Sequence, residues 1–469
     1  MLTYQDLLAV AENNADRAEF ARKVIRDHQT SELYKTAKIA DDYDRGQNTT
    51  IKSYQKTITT LTGKVVPDHW RATHRSASNF FNIFTTQLNQ FLLGNGVEWG
   101  EKTTADKLGK DFDNRLQQAG KAALAGGVSF VFFNLDHVEV FPVLEFAPLF
   151  DEENGALSAG VRFWQIDDSK PLRATLYELD GYTDFLWSKD TEPKAPWRQV
   201  YGSDDAYMRD KRAYVLKYRQ SEADGTEIYA GENYPSFPIV PLYGNPRKQS
   251  ELVGLREKID AYDMILNGFE DDLDNAQIYW IIRGAGGMDD VDLAQFLDRL
   301  RTVGAAAPAD GQDVEARQTE IPFAARETLL NRLETQTYKD AMVLNPAEIA
   351  GGAATATQIK AAYEPQNVKA DQFEYCVIDC IHGLLAVAGI DDEPTFTRSM
   401  IVNTQEEIQT VIQAANFLGL EYTTRKILSL LGDADQAEDV LKAIEEAQMQ
   451  QMAEQDEEEA EDVGSDAQE

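Results

Sequence analysis

Apolar residues recur at three- and four-residue intervals through much of the first 121 positions, as in Leu7, Leu8 and Ala11 and again in Phe80, Phe81, Phe84, Leu88, Phe91 and Leu92. That period places them on one side of a helix and predicts a helical N-terminal stretch. Gly94-Asn95-Gly96 should stop the last of these helices, because glycine supplies the left-handed conformation that ends a helix. From residue 128 to about 243 the pattern shortens to β-branched and aromatic runs between turn residues, which predicts an antiparallel sheet. Asn154-Gly155 separates residues 146–150 from 161–166, and Asp180-Gly181 stands between 176–179 and 182–187, so two hairpins are readable. Pro235, Pro238, Pro241 and Pro246 then mark an extended connector.

A long amphipathic helix follows. Leu255, Ile259, Tyr262, Leu266, Phe269 and Leu273 alternate four- and three-residue spacings and form one narrow apolar stripe. The other faces carry Asp260, Asp263, Glu270, Asp271 and Asp272, which by polarity read as a solvated acidic surface. Next come a strand-like run over 278–282, the break Gly284-Ala285-Gly286-Gly287, a short helix over 291–303 and a small-residue loop over 304–311. A second long helix over about 323–342 carries Phe323, Leu330, Leu333 and Thr337 on one side, so two helices flank an insertion like the arms of a hairpin. Asn345-Pro346 ends that helix, and Gly351-Gly352-Ala353-Ala354-Thr355 forms a small flexible loop. A third helix over about 359–387 contains Pro365, which should kink it. A short strand over 395–402 and amphipathic helices over 406–418, 423–431 and 435–449 complete the pattern.

Composition narrows the function classes. At 469 residues, with 43% hydrophobic and 10% aromatic residues, the chain is long enough for several cores and is that of a folded protein. Residues 1–9 lack the basic leader and apolar run of a secretory signal. Apolar stretches such as 128–133 fall far short of the roughly 20 residues that cross a bilayer, so a soluble protein without a membrane partner is expected. Cys376 and Cys380, four apart on a helix, read as reduced core residues. The net charge of −35 argues against gripping nucleic acid by neutralising phosphates. Eleven acidic residues and no basic one lie after Ile444, and the stretch 451–469 should be a disordered acidic tail.

No catalytic chemistry is readable. His69 and His74 are five apart, which is not same-face helical spacing, and no Gly-x-Ser-x-Gly elbow occurs. Met288-Asp289-Asp290 follows the glycine cluster where a phosphate loop needs Lys and Ser or Thr. Asp41-Asp42-Tyr43-Asp44 and Glu270-Asp271-Asp272 are consecutive and point in different directions, which suits solvated faces better than a Mg²⁺ site. Neither catalytic nor metal ligand residues are assigned, and no cofactor is expected.

Four segments, in order, resemble the portal proteins of long-tailed phages of Gram-positive hosts. They are Tyr43-Asp44-Arg45-Gly46-Gln47-Asn48; the helix from Asn79 through Phe91-Leu92-Leu93-Gly94; Ile239-Val240-Pro241-Leu242-Tyr243-Gly244-Asn245 followed by the helix from Leu255 to Tyr262; and Ala356-Thr357-Gln358-Ile359-Lys360. The resemblance covers about residues 42–446. The step Gly244-Asn245-Pro246-Arg247-Lys248 departs from the family's asparagine-rich turn.

The resemblance implies an α+β portal fold. Its parts would be a helical and β wing (1–250), stem helix 1 (251–276), a small α/β clip (277–321), stem helix 2 (322–344), a tunnel loop (345–356), a kinked helix returning to the wing (357–403), a helical crown (404–450) and the acidic tail (451–469). It implies a non-enzymatic ring, with twelve subunits expected, at the capsid vertex. Double-stranded DNA would pass through it without sequence-specific binding during packaging and ejection. Implied partners are the terminase large subunit, the head-completion adaptor protein, and the major capsid and scaffolding proteins. The expected location is the virion, and the host cytoplasm during assembly. Expected residues are Asn345, Glu348, Gly351, Gly352 and Thr355 at the tunnel loop, Leu255, Ile259, Tyr262, Leu266, Phe269 and Leu273 in stem packing, and Asp289, Asp290 and Asp292 where the clip docks partners. The rival readings are a metal-dependent nuclease, which would need carboxylates or histidines at ligand spacing, and an acidic scaffolding or minor capsid protein, which would not need the central sheet.

Overall fold

A computed structural model describes residues 2–10, 14–59, 63–68, 73–167, 169–187, 211–220, 227–274, 278–283, 313–318, 322–349, 356–399, 404–431 and 436–444, with Val291, Gln295 and Ala447. The chain divides into two compact units, Met1–Leu344 with Pro365–Ser399, and Asn345–Glu364 with Met400–Glu469.

The first unit opens with helices α1 (Tyr4–Leu8), α2 (Asn14–Thr30), α3 (Glu32–Asp44) and α4 (Thr49–Ser53). The helical reading of this stretch needs a correction. A hairpin of β1 (Thr57–Thr59) and β2 (Val65–Pro67) interrupts it, because β-branched Thr57, Ile58, Val65 and Val66 pair across the strands. Helices α5 (Phe80–Leu93), α6 (Lys102–Leu108) and α7 (Phe112–Gly126) follow, with β3 (Glu98–Trp99) between α5 and α6. After α5 the left-handed residue is Gly96, at φ 77°, while Gly94 stays right-handed.

Strands β4 (Val128–Asn134) and β5 (His137–Pro142) pair with β12 (Ile239–Tyr243) in the order β12-β4-β5. Central β4 is buried on both faces from Val128 to Phe133, which explains an apolar run broken only by Ser129. Its buried Ser129 is satisfied by donating to the Ala119 carbonyl of α7 at 2.8 Å. Pro241 is tolerated in β12 because that strand is an edge and needs no donor on its outer side.

A four-stranded meander contains β6 (Phe146–Phe150), β7 (Leu157–Trp164), β8 (Leu172–Glu178) and β9 (Gly181–Trp187). Both expected hairpins form. The second turns on Leu179-Asp180, since Gly181 already pairs with Glu178. Strands β10 (Val215–Gln220) and β11 (Glu227–Glu232) make a further hairpin.

Helix α8 (Arg256–Asp274) and a second long helix (Phe323–Ala341) bracket an insertion. At its base β13 (Ile278–Arg283) pairs with β14 (Asp313–Gln318). β14, with the polar sequence Asp-Val-Glu-Ala-Arg-Gln, has no strand signature of its own. The expected break at 284–287 and loop at 304–311 lie outside the described residues, as does the short helix over 291–303 apart from Val291 and Gln295, which are helical.

A third long helix (Ala356–Ala388) runs through Pro365. It carries Cys380, whose thiol burial pushes far up in pKa, and half-buried Cys376. The strand expected over 395–402 reduces to β15 (Pro394–Thr395), which pairs with β3. In the second unit, helices Thr404–Leu418 and Leu420–Leu431 match the amphipathic pattern, and 437–444 are helical. The acidic stretch 451–469 is outside the described residues. Among the described residues no helix is long and apolar enough to cross a membrane.

Candidate functional site

The stripe on α8 is used inside the chain, and its use fades along the helix. Leu255 and Ile259 are buried in one cluster with Phe80 and Phe84 of α5 and Tyr338, Ala341 and Val343. Tyr262 packs edge-on to Phe80, with ring centres 5.0 Å apart, and Phe84 packs edge-on to Tyr338 at the same separation. Leu266 and Phe269 are half-buried, and Phe269 meets Phe323 edge-on at 5.5 Å. Leu273 is exposed, as are Met264, Phe323 and Leu329. Ion pairs Lys258–Asp340 and Arg326–Asp272 tie the two long helices together.

The acidic faces overturn their sequence reading. Asp263, Asn267 and Asp271 are at most 5% exposed and stand one helical turn apart along a buried polar seam. The extended segment 73–78 lies along this seam, and alternate residues dock on successive turns. The His74 amide donates to Asp271 at 2.7 Å, the Ser76 amide to Asn267 at 2.7 Å and the Ser78 amide to Asp263 at 3.0 Å. Asn267 also donates to the Ser76 carbonyl at 2.8 Å, so its amide group behaves as a neighbouring strand would. The fit is metric: two extended residues advance roughly 6.6 Å and four helical residues about 6.0 Å. These carboxylates look solvated in the sequence because the groups that cover them come from 185 to 215 residues earlier in the chain.

Each carboxylate is balanced by donors. Asp271 also accepts from Lys56 at 2.6 Å and from the His74 ring at 2.8 Å. Burial pushes its pKa up, but the bonds from Lys56 and His74 outweigh that and hold it below the usual carboxylate value. The same bond to Asp271, with Asp274 3.2 Å from the other ring nitrogen, raises His74 above the ordinary histidine value. Asp263 accepts from Asn48 at 2.7 Å, and burial raises its pKa despite that bond and those from Ser78.

The segment Tyr43–Asn48 anchors the start of the seam. Gly46 adopts φ 67°, the left-handed turn that brings Asn48 back over α8. Asn48 caps α4 by accepting the Thr50 and Ile51 amides, and the Tyr43 hydroxyl lies 3.0 Å from Asn48 and 2.5 Å from Asp260. Thr50 donates to Asp260 at 2.9 Å. These acids are therefore engaged by the chain's own donors. Among the described residues no group of three or more His, Cys, Asp or Glu side chains is placed to hold a metal ion.

Of the residues expected at a tunnel loop, Asn345 accepts the Ala347 amide at 3.0 Å and starts the short helix Pro346–Ile349, which includes Glu348. Gly351, Gly352 and Thr355 lie outside the described residues, as do Asp289, Asp290 and Asp292 of the insertion. Sequence reasoning missed Asp263, Asn267 and Asp271. Their spacing of four was visible, but no local signal marks it as buried.

Comparison with known proteins adds to this geometry. The family model "Phage portal protein, SPP1 Gp6-like" matches residues 22–462. A portal protein of Clostridium phage phiCD119 is 26% identical over 202 residues, which cover 41% of this chain. That match spans 45% of the relative's own length. Among solved structures, a chain in the neck of the native GTA particle computed with C12 symmetry is similar at a TM-score of 0.41 and 11% identity, covering 74% of this chain and 89% of that one. A chain in the neck of the empty GTA particle computed with C6 symmetry is similar at 0.42 and 12%, with the same coverage.

Proposed function

The chain belongs to the SPP1 Gp6-like family of phage portal proteins, and from that premise we propose that it assembles into a closed ring of twelve at a capsid vertex, around a channel for double-stranded DNA. The observation that carries this reading is the family match over residues 22–462, within which α8 and the second long helix bracket a strand-paired insertion. In the proposal these helices are the stem and the insertion is the clip. Residues 1–250 and the third long helix serve the wing, and 404–450 the crown.

A ring of identical subunits needs a head-to-tail contact whose rotation closes. Leu273, Phe323 and Leu329 support such a contact near the stem, because these apolar side chains are exposed. The net charge of −35 supports a conduit rather than a clamp. Clustered lysine and arginine would hold phosphates and brake the moving DNA, whereas an acidic wall leaves it free to slide. The energy for packaging would come from a partner, the terminase motor, docked at the clip and replaced later by the head-completion adaptor.

Light scattering with negative-stain electron microscopy of the purified protein tests the ring. Particles of about a dozen subunits with a central hole are expected; a monomer or dimer at high concentration would refute the proposal. Deleting Gly351–Ala354 should impair packaging by assembled rings if residues 345–356 line the constriction. Charge reversal at Asp289, Asp290 and Asp292 should weaken motor binding to purified rings.

A further inference from the structure

The second long helix ends on a base far more constrained than a helix–loop junction requires. Met342 takes the left-handed conformation at φ 54° without being glycine, and the Val343 amide returns to the Tyr338 carbonyl at 3.3 Å. Val343 and Leu344 are then buried, although the chain is leaving its helix. Both backbone groups of Leu344 are satisfied by side chains from elsewhere in the first unit. Its amide donates to Gln366 at 3.0 Å, and its carbonyl accepts from Gln87 of α5 at 3.2 Å. Gln366 is 1% exposed and directly follows Pro365, where the third long helix re-enters this unit. One turn further on, Lys369 donates to the Ala341 carbonyl at 2.8 Å and pairs with Glu251 at 2.6 Å.

We infer that Gln366, with Gln87 and Lys369, forms a pedestal that joins the departure and return of segment 345–364 and so positions the loop assigned above to the DNA constriction. The inference rests on the portal reading for what the loop does, and on the hydrogen bonds alone for how it is held. The bond between Leu344 and Gln366 spans 22 residues of sequence and closes the base of the excursion. A loop that touches moving DNA needs such a base, because force on its tip is transmitted to its two ends. The left-handed Met342 and the Lys369 cap on the helix's last carbonyl restrain the backbone up to Leu344, and Gln366 ties Leu344 to the start of the return. Gln87 carries the same restraint to α5, so the base is held from two helices rather than one. Gln366, Gln87 and Lys369 are positioning residues, with no contact to DNA assigned to them.

Gln366→Leu keeps the side-chain bulk and removes the acceptor; Gln366→Glu restores one; Gln87→Leu removes the second tie. Full-length rings of each, checked by electron microscopy, are compared by hydrogen exchange and by DNA packaged per particle. In Gln366→Leu the Leu344 amide should exchange roughly tenfold faster, the loss of one buried hydrogen bond. Amides 345–349 should follow, while α5 and α8 keep their protection. Packaging should fall several-fold, Gln366→Glu should recover both readouts, and Gln87→Leu should fall between. Unchanged exchange at Leu344 and 345–349, or an equal rise throughout α5 and α8, would overturn the pedestal. If the wild-type chain makes no ring, the portal reading fails by itself, and the Leu344 exchange comparison still decides the pedestal.

Discussion

Replacing Asn267 with aspartate changes one atom and should be among the most damaging single substitutions on α8. The wild-type amide accepts the Ser76 amide at 2.7 Å, and its nitrogen donates to the carbonyls of Ser76 at 2.8 Å and Asp263 at 2.6 Å. In Asn267→Asp that nitrogen becomes an oxygen facing two carbonyl oxygens, with Asp263 and Asp271 one turn away on either side. Two bonds are lost at about 1 kcal/mol each, and a desolvated charge without a partner raises the total to roughly 3 kcal/mol. Asn267→Ala should cost less, about 1–2 kcal/mol, because Ser76 is exposed and water can reach its backbone groups.

Urea unfolding followed by tryptophan fluorescence gives the global cost, and hydrogen exchange at the Ser76 amide gives the local one. A loss of about 3 kcal/mol corresponds to exchange more than a hundredfold faster. The Asn267→Asp deficit should also shrink on acidification. A carboxyl raised in the folded state binds protons there more readily than in the unfolded chain, so the variant gains stability as pH falls. A solvated face would give the reverse order, with aspartate tolerated as well as alanine or better. If Asn267→Asp lies within about 0.5 kcal/mol of wild type, the buried seam is wrong.

His28 and His74, whose pKa values move in opposite directions, should act on opposite limbs of the stability profile. Burial lowers the pKa of His28, whose ring donates to the Val143 carbonyl at 2.7 Å, so its folded form stays neutral and stability falls as pH drops below the ordinary histidine value. His28→Gln should flatten that acid-side slope of Tm against pH. The pKa of His74 is raised, chiefly by Asp271, so its contribution is complete below the ordinary value and lost as pH rises through the folded one. His74→Asn should flatten the slope above neutrality and leave the acid limb unchanged. Gly120→Ala should lower Tm through a cost of about 1–3 kcal/mol, since the added carbon would stand 2.4 Å from Asn89 Oδ1 and 2.9 Å from Leu93 Cδ1 where α7 crosses α5. An unchanged melting curve would mean that the crossing is looser than described.

Elements whose pattern is local were readable from the order of residues. The stripe of α8 follows from the spacing of its apolar residues, the meander from alternation and turn residues, and the two-sided burial of β4 from an apolar run broken only by Ser129. The order of long helix, insertion and long helix was likewise legible, and with four short segments it pointed to the family. The buried polar side of α8 was not readable in this way. Asp263 and Asp271 look like Asp260 and Asp272 to any local pattern, since polarity records what a side chain prefers and not what lies against it. Their burial depends on Lys56, His74 and Ser78, which precede the central strands in the chain order. β14 forms for the same reason, because β13 supplies its partner. Gln366 is an ordinary helical residue in the sequence and becomes a junction only where Leu344 arrives with an amide to satisfy.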